Sequence, residues 1–482
     1  MELFLITKTT EKIGLVKRDD QIVELVIDRP DAPQLVGSIY LGKVIKVDES
    51  LQAAFVDIGQ QELGYLEKKQ IPAARKDREA SISTFLYEGE SILVQVTKDA
   101  YQEKGAQLTM NLTIANQALV YLPYGDYLAV SKKLPKKTAD ELKAELTAFR
   151  KGEEGLIIRT VAKDYSVDQL HNHWRQLRTN WENIFAKANE SKAPTVIWSD
   201  HAVTDRLIRR FPAEKITRIY VDHPSVATEI KKRFLELEEK VTWVNQMDEL
   251  ITVSVPKVIE SILNPEVIAD SGVTLVIDQT EALTVIDVNS SGFTGKMNQH
   301  QFAYKVNRLA VDEIARQIRL RNLSGMIIID FLRMKDKKEK NKIINQLRNR
   351  LKDDPTRSEV YGFTDLGLLE LTRKREAPNH LLSLAGNLQK RLVLSKKSKA
   401  YSLERELIMS EAEAVIVEVT KGFYQVWKEW IEPDVLKESV KTRVYFIETK
   451  GVKDYLIKRV GSQELIDEFL LENKQLKVDK LN

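Results

Sequence analysis

Asp287 and Asp330 each close a short apolar run. The first is Leu283–Thr284–Val285–Ile286–Asp287, continued by Val288–Asn289–Ser290, and the second is Met326–Ile327–Ile328–Ile329–Asp330. Continuous aliphatic and β-branched residues bounded by polar ones predict short buried strands. Two carboxylates at the ends of neighbouring strands, with the Asn289 amide close by, offer oxygen donors only, which suits a hard cation such as Mg²⁺. The chemistry implied is metal-dependent hydrolysis of a phosphate ester. A single aspartate at a strand end is an ordinary turn or cap residue; the pair, followed by Ser290, Ser291 and Gly292, favours a site. A phosphate-cradling loop at Gly292–Phe293–Thr294–Gly295–Lys296 is excluded, because the spacing is too short and Met297 stands where a metal-binding hydroxyl is required.

The elements between the two runs must return the chain in the same direction for the carboxylates to meet. Phe302, Val306, Leu309, Ala310, Ile314 and Ile318 recur at helical spacing, and strand–helix–strand is a βαβ unit with parallel strands. Both aspartates then lie on one sheet edge, the carboxyl edge, where ligands bind in open α/β sheets. A lysine-rich helix follows over Lys335–Leu351.

A second group of residues lies upstream. Ser38–Val44, Ala53–Val56, Gly64–Leu66 and Ser91–Val96, with glycines between them, predict short strands closing a small barrel. Phe55 and Tyr65 in that barrel, with Lys98 and Lys104 on its last strand and the approach to it, are residue types that stack bases and track a nucleic-acid backbone. A strand aromatic also serves as core, and both readings of Phe55 stand at this point. Farther on, helices are predicted over Ala139–Arg150, Asp168–Asn189, Ala202–Arg210 and Ser225–Leu237, with strands at Thr195–Trp198 and Arg218–Val221.

Composition narrows the function. A chain of 482 residues exceeds one ordinary core, so several domains are expected. The net charge of only +3 means that a nucleic-acid partner must be argued from local patches. The absence of cysteine excludes disulfides, thiolate metal sites and cysteine nucleophiles. His171 and His173 form the one close histidine pair, read as a solvated helix face. Without a leader or a long apolar run, a cytoplasmic protein with no membrane partner is expected.

Gly37–Val44, Ala53–Gly59 and Gly64–Leu66 together resemble the S1-type RNA-binding domain of the ribonuclease E/G family. Glu281–Ser290, Asp312–Gln317 with Arg319–Arg321, and Gly325–Phe331 resemble that family's catalytic core in order and spacing, and Gly367–Arg373 its downstream segment. The resemblance covers roughly residues 1–385. It implies an α/β multidomain protein: an RNase H-like domain in two parts (1–36 and 192–270), an inserted S1-type OB barrel (37–118) and 5′-sensor region (119–191), and a DNase I-like catalytic domain (271–385). A link (386–400) and a small C-terminal α/β domain (401–482) complete it. The implied activity is endonucleolytic cleavage of single-stranded RNA to 5′-phosphate and 3′-hydroxyl products, in RNA decay or rRNA maturation. The metal would be Mg²⁺, or Mn²⁺ in its place, on Asp287 and Asp330, with Asn289 positioning the reacting groups. RNA would be clamped by Phe55, Tyr65, Lys98 and Lys104. A 5′-monophosphate would be sensed by Arg159, Thr160, Lys132, Val120 and Arg357.

The chain departs from the family pattern. Lys132 replaces an expected arginine and Asn116 a usual glycine. The two cysteines of the family's zinc link are missing, and Asn387–Lys399 is lysine-rich instead. No zinc is expected, and a homodimer would rest on packing through 386–482, with Ile466, Phe469 and Leu470 as the available face. The rival reading is a catalytically lapsed RNA-binding or ribosome-assembly protein.

Overall fold

The computed structural model describes the chain except for residues 76, 101–103, 248, 270–271, 281–282, 291–298, 377–378, 386–392, 474 and 482. It divides into two compact units, residues 1–33 with 216–482, and residues 34–215. The first unit opens with an antiparallel meander of β1 (Glu2–Ile6), β2 (Lys12–Arg18) and β3 (Gln21–Asp28). Asp19 and Asp20 form the tight β2–β3 turn with φ of 49° and 60°, a left-handed conformation that aspartate tolerates.

The second unit begins with β4 (Ile39–Asp48), β5 (Ala53–Asp57), β6 (Gly64–Glu67), β7 (Ser91–Lys98) and β8 (Gln107–Thr109). Their order β4-β5-β6-β8-β7 is closed by β4–β7 pairing, a five-stranded barrel consistent with an OB fold. Val44, Ala54, Val56, Leu66, Val94, Val96 and Leu108 fill its interior. Gly64 is needed there, since a Cβ would come within 2.4 Å of Leu108. A second sheet, ordered β11-β12-β10-β9, comprises β9 (Ile114–Ala115), β10 (Leu119–Leu122), β11 (Leu128–Val130) and β12 (Gly155–Ile158). Helices α1 (Lys136–Thr147) and α2 (Val167–Glu190) cover it, with Trp174 fully buried in their shared core. His171 stacks on Phe149 and His173 meets Tyr165 edge-on, so this pair is packed against aromatics rather than fully solvated. Strand β13 (Thr195–Trp198) pairs with β4. The helix expected over 202–210 opens as a π turn, Ala202–Arg206, before α3 (Leu207–Arg209). The Arg206 guanidinium donates to the carbonyls of Gln34 and Val36, tying the end of this unit to its beginning.

Back in the first unit, β14 (Arg218–Val221) and β15 (Val241–Trp243) complete the opening sheet in the order β15-β14-β1-β2-β3. Helix α4 (Pro224–Arg233) stops earlier than expected and gives way to a 3₁₀ segment, Leu235–Lys240. After α5 (Val255–Leu263) comes the sheet that carries the aspartates. It contains β16 (Glu266–Ile268), β17 (Thr274–Gln279), β18 (Leu283–Asn289), β19 (Gly325–Asp330), β20 (Ser358–Phe363) and β21 (Leu369–Arg373), with α6 (Gln299–Leu320) after β18 and α7 (Lys337–Leu351) after β19. The order is β16-β17-β18-β19-β21-β20, and only β18–β19 is parallel. One face packs Ile286, Val288, Ile327 and Ile329 against Val306, Ala310 and Ile314 of α6 and Ile343 and Leu347 of α7. The other face is more open.

Last come α8 (His380–Leu384), α9 (Lys396–Met409), β22 (Ala414–Val419), α10 (Lys421–Trp430), α11 (Pro433–Ser439), β23 (Arg443–Glu448), β24 (Tyr455–Gly461), α12 (Gln463–Glu472) and β25 (Val478–Lys480). The four strands form one sheet, β24-β22-β23-β25. Ile466 of α12 is fully buried against Ile416 and Ile447, with Phe469 and Leu470 packed on the same cluster. This corrects the expected dimer face: those side chains are used inside the domain. Helix α9 is fixed to the first strands by buried charge. Glu11 pairs with Arg29 and Arg405, while Glu404 accepts from the Thr10 amide and hydroxyl. No helix among the described residues is long and apolar enough to cross a membrane.

Candidate functional site

Parallel pairing brings the two aspartates together. Asp287 of β18 and Asp330 of β19 are register partners at the carboxyl ends of adjacent strands. Side chains alternate along a strand. Because Ile286, Val288 and Ile329 point into the helix-covered core, Asp287, Asn289 and Asp330 share the opposite face. Asn289 Nδ2 donates to Asp287 Oδ2 at 2.8 Å, which orients that carboxylate. Among the described residues no other side chain engages either carboxyl group, so three of the four oxygens are left for another partner. An oxygen-only donor set of this kind fits a divalent cation; Gly292–Lys296 lies outside the described residues.

One residue that positions this site was missed in the sequence. Asn307 of α6 is completely buried, and its amide clamps the backbone two residues past Asp330. Asn307 Nδ2 donates to the Leu332 carbonyl at 2.7 Å, and Asn307 Oδ1 accepts from the Leu332 amide at 2.9 Å. The available signal was a polar residue inside the apolar helical stripe, one position after Val306 and three before Ala310. Other charged residues of the motif prove to be scaffold. Arg321 donates to the carbonyls of Ser261, Ile262 and Asn264, and buried Arg373 pairs with Asp354.

In the second unit, Phe55 and Tyr65 are cross-strand register partners on the outside of the barrel. Their rings meet edge-on at 5.9 Å, half-buried, while the neighbouring Ala54, Val56 and Leu66 fill the interior. The core reading of Phe55 is thereby set aside. The same rung runs from exposed Lys46, opposite Phe55, through Tyr65 and Gln107 to exposed Lys98. Lys104 is also exposed, just before the short strand β8. The neighbouring Gly105 passes so close to the Leu63 carbonyl that a Cβ would lie 1.8 Å from it. Tyr65 N donates to Ala106 O at 2.8 Å, so the approach carrying Lys104 is stitched to the strand carrying Tyr65.

Arg159 and Thr160 follow β12. Arg159 Nη1 donates to the carbonyls of Asn116 and Arg209 at 2.9 and 3.3 Å, and no carboxylate neutralises it among the described residues. Burial, with the Arg209 guanidinium nearby, pushes the Arg159 pKa below its usual value. The result is a partly desolvated cation lacking a counter-ion. Thr160 Oγ1 lies 2.8 Å from Ser131 Oγ, and Lys132, exposed, is the next residue. Val120 pairs with Ile157, one register step from Ile158. Asn116 does turn work, its carboxamide accepting from the amides of Ala118 and Leu119. Arg357, by contrast, belongs to the other unit, where it is exposed and 3.7 Å from Glu359.

An OB-type barrel with an aromatic and cationic outer rung, and an acidic oxygen-donor pair on a separate α/β sheet, define a class of multidomain α/β proteins. A sequence profile of the Ribonuclease E/G family matches residues 113–376. Ribonuclease G of Haemophilus influenzae is 32% identical over 397 residues, spanning 79% of this chain and 81% of that protein. Ribonuclease G of Escherichia coli is 31% identical over 376 residues, 74% of this chain and 77% of that protein. Ribonuclease E of Synechocystis sp. is 34% identical over 379 residues, 76% of this chain and 56% of that protein. The chain belongs to the ribonuclease E/G family.

Proposed function

We propose that this protein is a Mg²⁺-dependent endoribonuclease that cuts single-stranded RNA to 5′-phosphate and 3′-hydroxyl products. The observation that carries the proposal is the shared register of Asp287 and Asp330 on one open face, with Asn289 bonded to the first carboxylate. Asp287 and Asp330 would hold the cation, which when bound polarises a phosphate oxygen and lowers the pKa of a coordinated water. Asn289 keeps Asp287 from rotating, and Asn307 fixes the strand end that presents Asp330. The barrel rung binds the substrate: Phe55 and Tyr65 stack bases, while Lys98 and Lys104 contact phosphates. Lacking a carboxylate partner, Arg159 suits a terminal phosphate, with Thr160 as an added donor and Lys132 as a point charge. The RNase H-like and DNase I-like identities of the domains, and roles in RNA decay or rRNA maturation, belong to the same reading.

The test is a 5′-labelled, 5′-monophosphorylated single-stranded oligoribonucleotide incubated with purified protein, with and without Mg²⁺. Internal cleavage that needs the metal and leaves ends ligatable as 5′-phosphates is expected. RNA that is bound but never cut under any divalent condition would overturn the proposal in favour of a purely RNA-binding role.

A further inference from the structure

The segment after Asp330 alternates between anchors and charges. Phe331 and Met334 are buried in the sheet–helix core, and the Leu332 backbone is held at both polar atoms by Asn307. Between and beyond these anchors, Arg333, Lys335, Lys337 and Lys338 are exposed. None of the four has a carboxylate partner among the described residues, whereas cations farther along do: Arg350 pairs with Asp312 and Lys374 with Glu376. The arrangement is unfavourable for the helix it introduces. Lys337 and Lys338 occupy the first turn of α7, where the backbone dipole disfavours positive charge, and Asp336 and Glu339 compensate only in part. Four cations without a carboxylate partner among the described residues, on or just after a backbone pinned at Phe331, Leu332 and Met334 and directly after an acidic site, have a ready use if a polyanion lies against them.

We propose that Arg333, Lys335, Lys337 and Lys338 form a phosphate-gripping rim that holds the RNA strand beside the Asp287–Asp330 pair, in addition to the barrel. The inference rests on the ribonuclease reading above. The rim offsets the repulsion between the carboxylate pair and the substrate backbone, and it does so through charge, without reading sequence. Arg333 is suited to a bidentate phosphate contact and the lysines to point contacts.

The test compares the wild type with a variant carrying Arg333→Gln, Lys335→Gln, Lys337→Gln and Lys338→Gln. Binding of an unstructured oligoribonucleotide is titrated without divalent ions from low to moderate salt. Each lost phosphate contact on a single strand makes the slope of log K against log salt shallower by about 0.7. The rim therefore predicts a slope shallower by roughly 2–3 and at least tenfold weaker binding at low salt. Lys231→Gln with Lys232→Gln, on α4, should leave the slope unchanged. A charge-retaining variant (Arg333→Lys with the three lysines changed to arginine) should restore wild-type behaviour, and a melting curve checks that all variants fold. A neutralised variant that is folded and keeps both slope and affinity overturns the rim. Because this readout needs no cleavage, a wild type that binds through the rim but never cuts would overturn only the endoribonuclease assignment.

Discussion

Replacing Phe55 by alanine separates a binding role from a packing role within one variant. Phe55 lies outside the barrel core, and among the described residues its one ring contact is the edge-on meeting with Tyr65 at 5.9 Å. Removing that contact costs about 0.5–1.5 kcal/mol of stability, plus a fraction of the transfer energy of a half-buried ring. A fully buried phenylalanine would cost roughly 3–5 kcal/mol. Loss of one stacking surface should weaken RNA binding by about 1–3 kcal/mol, or roughly 5- to 150-fold in Kd. The assay is an anisotropy titration of a labelled single-stranded oligoribonucleotide without divalent ions, alongside urea unfolding of the same preparation. The salt dependence of binding should not change, because no charge is removed, whereas Lys104→Ala should make its slope shallower by about 0.7. An unfolding free energy lowered by more than about 3 kcal/mol with unchanged Kd would return Phe55 to the core and refute its role as a stacking surface.

Asp287→Asn or Asp330→Asn should abolish cleavage while leaving RNA affinity within about twofold, since binding rests on the barrel and basic surfaces; single-turnover assays beside binding titrations read both. RNA with a 5′-monophosphate should be cut faster than 5′-triphosphate or 5′-hydroxyl forms, and Arg159→Ala should erase the difference. Equal rates on all three ends in the wild type would show that the Arg159 pocket does not sense termini. Burial raises the Glu404 carboxyl to about 7 in the folded protein, so its proton is retained there well above the unfolded pKa. Stability from this group is full below about pH 4.5, falls as pH rises through 7 and then levels. Glu404→Gln, which keeps an acceptor for Thr10, should therefore be more stable than the wild type at pH 8 by up to about 3 kcal/mol and nearly equal at pH 5. Urea titrations at the two pH values measure this, and a difference independent of pH would count against it.

Much of the acidic site was legible because its evidence is local. Two apolar runs and the helical stripe between them require a parallel pair, and the aspartates sit where the runs end. What could not be read was the register that puts Asp287 opposite Asp330, since it depends on which faces α6 and α7 cover. The β20–β21 hairpin and the three-residue β8 were likewise silent: such short strands exist through their partners, not through their own pattern. Arg373 looks like any motif arginine until Asp354 is found beside it, and the α12 stripe looks like a spare surface until the sheet that buries it is known. Asn307 was readable in principle, as a polar residue inside an apolar stripe. Its purpose was not, because its partner lies 25 residues away, on the backbone just past the end of β19.

The Arg206 bridge to Gln34 and Val36 bears on how the chain folds. Strand β1 must find β14 as its parallel partner, yet the whole barrel-bearing unit separates them in sequence. Closing so long an unstructured loop is entropically unfavourable and slow. If residues 34–215 fold first, Arg206 holds the outgoing chain against the incoming one, and the loop still to be closed shrinks to the short stretches on either side. By the logarithmic dependence of closure entropy on length, this lowers the cost of joining β1 to β14 by on the order of 1–2 kcal/mol. The inserted unit thus serves as a folding clamp for the sheet that surrounds it in sequence. On this route β1 pairs with β14 only after residues 34–215 have folded.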